Sequence, residues 1–208
     1  MGKQKRNQLI AISFFIISFI FLYVEPENIS WLPDRIAQSS VLLKGISFVL
    51  LSIAAILASI AFDNKRRIAI ISAIGLAIGL GFLYFPVPLI LRGSAFHLLF
   101  ASAISFGMTT PATRLATAVS IICTCIGIGF LYQPAFPSLS GTALYLLLPG
   151  ITVFSIVYSQ KAICERISIG LITLGLISLC QPFFILFYQT GFQLLLAGLT
   201  GFIVVAHR

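Results

Sequence analysis

The chain has 208 residues, 59% of them hydrophobic and 9% charged, with a formal net charge of +8 and a mean hydropathy of +1.10. A soluble domain carries roughly 25% charged residues and cannot hide this much apolar surface, so composition excludes a water-soluble globule and makes lipid the solvent. Nucleic acid is not the expected partner despite the charge, because the basic residues sit in short clusters between apolar runs, the pattern of a membrane protein's cytoplasmic loops.

A helix needs about 20 mostly apolar residues to cross a bilayer. Eight runs meet that need, over residues 8–24, 41–62, 68–85, 89–108, 115–132, 142–158, 167–187 and 190–206. The first follows the basic stretch MGKQKRNQ and imitates a secretory signal. Val24, Glu25 and Pro26 stand where small residues would mark cleavage, so a retained span is expected. The second carries a stripe of small residues, Ala54, Ala55, Ala58 and Ser59. The third holds Gly75 and Gly79 as a GxxxG pair, with Gly81 close by. Such residues let helices approach closely in lipid, within a bundle or between chains, so homo- or hetero-oligomers are possible through these faces. The fourth run contains Arg92 and His97. Continuous apolar runs without alternation argue against barrel strands.

Eight spans put both termini on one side. Ten of the 13 basic residues then share that side, among them Lys65, Arg66, Arg67, Arg114, Lys161 and Arg166, which predicts cytoplasmic termini. Glu25, Glu27 and Asp34 gather on the other face, near Trp31, an interfacial anchor by type. A bacterial cytoplasmic membrane is the expected location. The clusters DNKRR and KAICER read as topology signals and contacts for anionic lipid.

Residues 78–88, IGLGFLYFPVP, recur as IGIGFLYQPAF at 126–136. Without gaps, 79–106 matches 127–154 at 12 of 28 positions, and 127–154 matches 175–202 at another 12. Gly127 and Gly175, Pro134 and Pro182, and Gly150 and Gly198 stay in register. A looser copy, Phe21-Leu22-Tyr23 and Lys44-Gly45, occupies the start of the chain. The expected fold is an all-α polytopic bundle of four tandem helical hairpins with a period of about 48 residues, over 8–62, 68–108, 115–158 and 167–206. Pro86, Pro134 and Pro182 end the outgoing spans, since proline lacks the amide hydrogen and clashes with the preceding turn. Tyr23, Tyr84 and Tyr132 sit before those ends at headgroup depth. Two spans per copy make the copies parallel, as in some transporters.

Intramembrane ionisable groups are the default functional candidates. No Asp or Glu lies within a span, so a proton-coupled pump is disfavoured. Lys44 and Arg92 lie near outer ends, where long side chains snorkel. His97, Tyr145 and Gln193 occupy equivalent positions and would form one polar layer that a solute could meet, with Arg92 above it. Cys123, Cys125, Cys164 and Cys180 match neither a CxxC nor a zinc pattern, and no metal or cofactor is expected. HExxH, GxSxG, P-loop and aspartate-rich signatures are absent, so no catalytic residue is assigned and a non-enzyme is favoured. The leading expectation is a small permease or channel-like carrier for a small solute. The alternatives are a structural or assembly subunit of a membrane complex and a membrane-embedded enzyme at the outer face.

Overall fold

Residues 2–23, 40–133, 137–181 and 184–208 are described by a computed structural model of the chain. Eight helices occupy them: α1 Lys3–Tyr23, α2 Ser40–Ala61, α3 Lys65–Tyr84, α4 Leu89–Thr109, α5 Thr113–Leu131, α6 Pro137–Val157, α7 Lys161–Cys180 and α8 Ile185–Ala206. There are no strands among the described residues. Glu25, Glu27, Trp31, Asp34, Arg35, Pro134 and Pro182, singled out by sequence, lie outside the described residues.

Six helices, α1, α2, α3, α5, α7 and α8, are long and apolar enough to cross a membrane. α4 carries Arg92 and His97 within an otherwise apolar sequence, and α6 is apolar with Pro149 inside it. The exterior agrees with a lipid solvent: Leu115 is 65% and Leu42 62% exposed, while Ser18, Ser47, Thr152, Ser155 and Ser168 are fully buried. Lipid tails are as apolar as leucine, so nothing drives large aliphatics inward, and small residues hold the helix seams.

Several helices outrun the apolar windows at their charged ends. α1 begins at Lys3 rather than residue 8, α3 at Lys65 rather than 68, and α7 at Lys161 rather than 167. Apolar windows measure what lies in hydrocarbon, whereas the backbone keeps its helical bonds into the headgroup layer. At α3 the start is fixed by Asn64, whose side chain accepts the Arg67 amide at 3.0 Å and satisfies one of the unpaired first-turn donors. The seventh run, expected over 167–187, is corrected: α7 stops at Cys180 and α8 opens at Ile185, five residues before the expected 190. Cys180 stands two residues before Pro182, so the proline expectation gives this boundary where the apolar window does not. The third run ends as the proline rule demands, with α3 stopping at Tyr84 and the Phe85 amide closing on Gly81.

Residues 1–105 and 106–208 form two compact units. In the first, α1 packs antiparallel on α2. Ser18 Oγ donates to the Ser47 carbonyl at 2.9 Å, and Ser47 Oγ returns the bond to the Ser18 carbonyl at 2.8 Å. At the far end of the pair, Gln8 Nε2 donates to the Ala61 carbonyl at 3.0 Å. Gly75 and Gly79 turn toward α4, where they abut Ser102 and Leu99. The Ser105 hydroxyl reaches the Ala55 carbonyl of α2 at 3.2 Å. Ser18→Ala and Ser47→Ala each remove one side-chain donor to the partner helix's main chain, and each is expected to cost about 0.6 kcal/mol, and no more than about 1.7, in thermal unfolding in micelles.

In the second unit, α5 packs on α6, α7 on α8, and α6 on α8. Gly127 abuts the Leu147 backbone and Gly175 the Leu195 backbone, so these helices touch main chain to main chain. α6 runs through Pro149, which has no amide hydrogen to offer the turn before it. Gly150 follows at once and lies against Ser120 and Thr124 of α5. Arg208 donates to the Ser155 carbonyl at 3.1 Å and to that of Tyr158, closing the C-terminal end of α6. Lys65 does the same for Ser59 and Ile60 at the end of α2. Both cations therefore satisfy terminal carbonyls and oppose the negative end of a helix dipole.

Candidate functional site

The first unit contains a half-open cleft of about 390 Å³ lined by all four of its helices, with Phe15 and Ile71 on its exposed rim. Each helix contributes a single face to it. On α1 that face is Ile12, Phe15 and Phe19. On α2 it is Leu51, Ala54, Ala55 and Ala58, on α3 Ile68, Ile71, Ser72 and Gly75, and on α4 Leu98, Ala101, Ser102 and Ser105. The last three sets share the spacing i, i+3, i+4, i+7, the signature of one helix face. The gap follows from residue size. Five alanines, Ala11, Ala54, Ala55, Ala58 and Ala101, stand where larger side chains would fill the space.

The wall is almost wholly apolar, with hydroxyls only on the α3 and α4 side. One of these, Ser105, already donates to the Ala55 carbonyl. An apolar cavity of about 150 Å³ stays dry and binds benzene. The space here is well over twice that and falls in the roughly 300–1,000 Å³ range of ligand pockets. It suits a hydrocarbon chain or ring and offers little to a hydrophilic solute, whose polar groups would find too few partners.

The polar candidates from sequence lie elsewhere. His97 belongs to the first unit, half-buried on α4. Its Nε2 is 3.2 Å from the Lys44 carbonyl, and its ring meets Phe48 and Phe96 edge-on. With Nε2 as donor, Nδ1 is left as a buried acceptor with no partner among the described residues. Phe48, Phe96 and Phe100 stack beside it, so His97 joins α2 to α4 at the edge of an aromatic cluster. Arg92 is exposed, near the start of the same helix. Tyr145 and Gln193 belong to the second unit, both half-buried, and Gln193 Oε1 has no partner among the described residues. Neither unit contains all three members of the expected polar layer, and none of His97, Tyr145, Gln193 and Arg92 lines the cavity.

Sequence reasoning missed the cavity because it searched for polar groups. The small-residue stripe of α2 was visible but read only as a packing face. Its neighbours Phe15 and Phe19, one helical turn apart on α1, were the remaining signal. The four cysteines are free thiols, and among the described residues no three His, Cys, Asp or Glu side chains gather as a metal site.

No known protein family, curated protein or solved structure matches this chain.

Proposed function

We propose that this chain is a small multi-pass membrane carrier that takes the apolar part of an amphiphilic or hydrophobic solute into the cavity of its first unit. The observation that carries the reading is the cleft itself, an apolar, half-open space of about 390 Å³ lined by the four helices of one unit in a chain with few charges in its spans. In this reading all eight helices cross the bilayer, α4 and α6 included, and both termini are cytoplasmic, as the clustering of basic residues favours. The four hairpins descend from one ancestral pair. Contacts 48 residues apart support this: Gly79 against Leu99, Gly127 against Leu147 and Gly175 against Leu195.

Ala58 lines the cavity from α2. Ala58→Phe fills the space without touching a polar bond. Uptake of a diazirine-bearing fatty acyl probe into reconstituted vesicles, and photolabelling of Phe15, Phe19 or Leu98, are expected to fall about tenfold or more, since 1.4 kcal/mol of lost contact is already tenfold. Undiminished labelling would remove the cavity from the mechanism. For the topology, cysteine-specific labelling from outside is expected to miss cysteines placed at both Arg66 and Arg114. Labelling at only one of the two would break the hairpin scheme.

A further inference from the structure

We propose that the solute held in this cavity is an anionic lipid, with an acyl chain between the four helices and its phosphate on the basic side chains at the end where α1 begins; this rests on the cavity being a binding site. The cavity does not stop at mid-helix. Phe62 and Ile68, on either side of the α2–α3 turn, line it, so it extends to that end of the unit. The start of α1 lies at the same end, because Gln4 donates to the Ala61 carbonyl at 3.3 Å and to Asp63 at 2.6 Å.

Helix register brings basic residues onto the lining faces. Lys5 precedes Ile12 by seven residues, two turns on the same face of α1, and Arg67 precedes Ile71 by four on α3. Lys5, Arg6, Arg66 and Arg67 are all exposed there. Lys65 shares the α3 face but is engaged on the carbonyls ending α2. Asp63 is the acid at this end, and Gln4 is bonded to it. The balance of charge at this end of the unit is strongly positive, and the cleft lining beyond it is apolar.

That arrangement is complementary to one chemistry: a long hydrocarbon tail carrying a negative headgroup. A neutral hydrophobe would use the tail space and waste the charges. A free phosphate would use the charges and waste the cavity. Long basic side chains at a membrane surface suit the role, since their stems lie on hydrocarbon while their heads stay at the phosphate layer.

The test uses the full-length protein in nanodiscs, photolabelled with phosphatidylglycerol or phosphatidylcholine carrying the same diazirine acyl chain, with labelled residues mapped by mass spectrometry. The wild type is expected to label at cavity residues more strongly with phosphatidylglycerol. Each basic side chain near the membrane is worth about fivefold. The double variant Lys5→Gln/Arg67→Gln is therefore expected to cut that preference about 25-fold while leaving phosphatidylcholine labelling unchanged, which also reports that the unit is folded. Equal labelling by the two lipids in the wild type would overturn the proposal, as would a preference that survives in the double variant. Ala58→Phe separates the two readings. Loss of labelling by both lipids keeps the cavity, whereas phosphatidylglycerol labelling that persists there would move the lipid to the outer surface and sink both.

Discussion

Gly175→Ala is expected to destabilise the second unit by about 1–3 kcal/mol, the usual cost of overpacking a filled interface. A methyl at this position would lie 2.5 Å from the Leu195 amide nitrogen, 2.8 Å from Leu195 Cα and 2.9 Å from the Gly191 carbonyl oxygen. All three are main-chain atoms, so no rotamer change can clear them and α7 must move away from α8. Gly170→Ala is the control. It lies on the same helix with nothing within 4 Å of the added methyl, so it should cost nothing and can gain up to about 1 kcal/mol from helix propensity and reduced freedom of the unfolded chain. Opposite signs for two identical substitutions, read as melting temperatures in micelles, would be the mark of backbone contact. Equal shifts would show that α7 and α8 do not touch at Gly175. Gly79→Ala should fall between them, because the atoms it meets most closely, at 2.7 and 2.9 Å, belong to the Leu99 side chain, which can turn.

Leu147→Ala is expected to cost about 1–3 kcal/mol by the same measurement. Leu147 is fully buried on α6, with Gly127 of α5 against its backbone. In a water-soluble protein such a truncation loses transfer energy and leaves a cavity. In lipid the transfer share largely disappears, because the unfolded reference is also surrounded by hydrocarbon. What remains is the unfilled space and its lost dispersion contacts, which places the value below the soluble range. Leu174→Ala, on the exposed surface of α7, should be within about 0.5 kcal/mol of neutral, since acyl chains fill the space left behind. A Leu174 effect as large as that of Leu147 would mean that the exposed face is covered by protein rather than lipid.

These contrasts define what could be read in advance. The amino-acid order by itself determined that the chain is helical and lives in lipid. It also placed the end of α3 before Pro86 and the turns at the basic clusters, because proline geometry and the cost of burying charge are local effects. Gly75 and Gly79 were legible as close-approach points and meet α4, and Gly127 and Gly175, 48 and 96 residues after Gly79, also meet a partner helix, whereas the recurring Gly93, Gly129 and Gly141 have nothing within 4 Å. The Ser18–Ser47 exchange and the cleft were not legible, whereas the run 142–158 already carried one helix through Pro149. Only the tertiary structure decided that Ala54, Ala55 and Ala58 border an open apolar cleft, and that His97 bonds across to Lys44. The reason is the solvent. In water, the apolar face of a helix is its buried face, and periodicity reveals it. In a bilayer both faces are apolar, so sequence shows where a helix runs but not which side of it meets protein, lipid or a void.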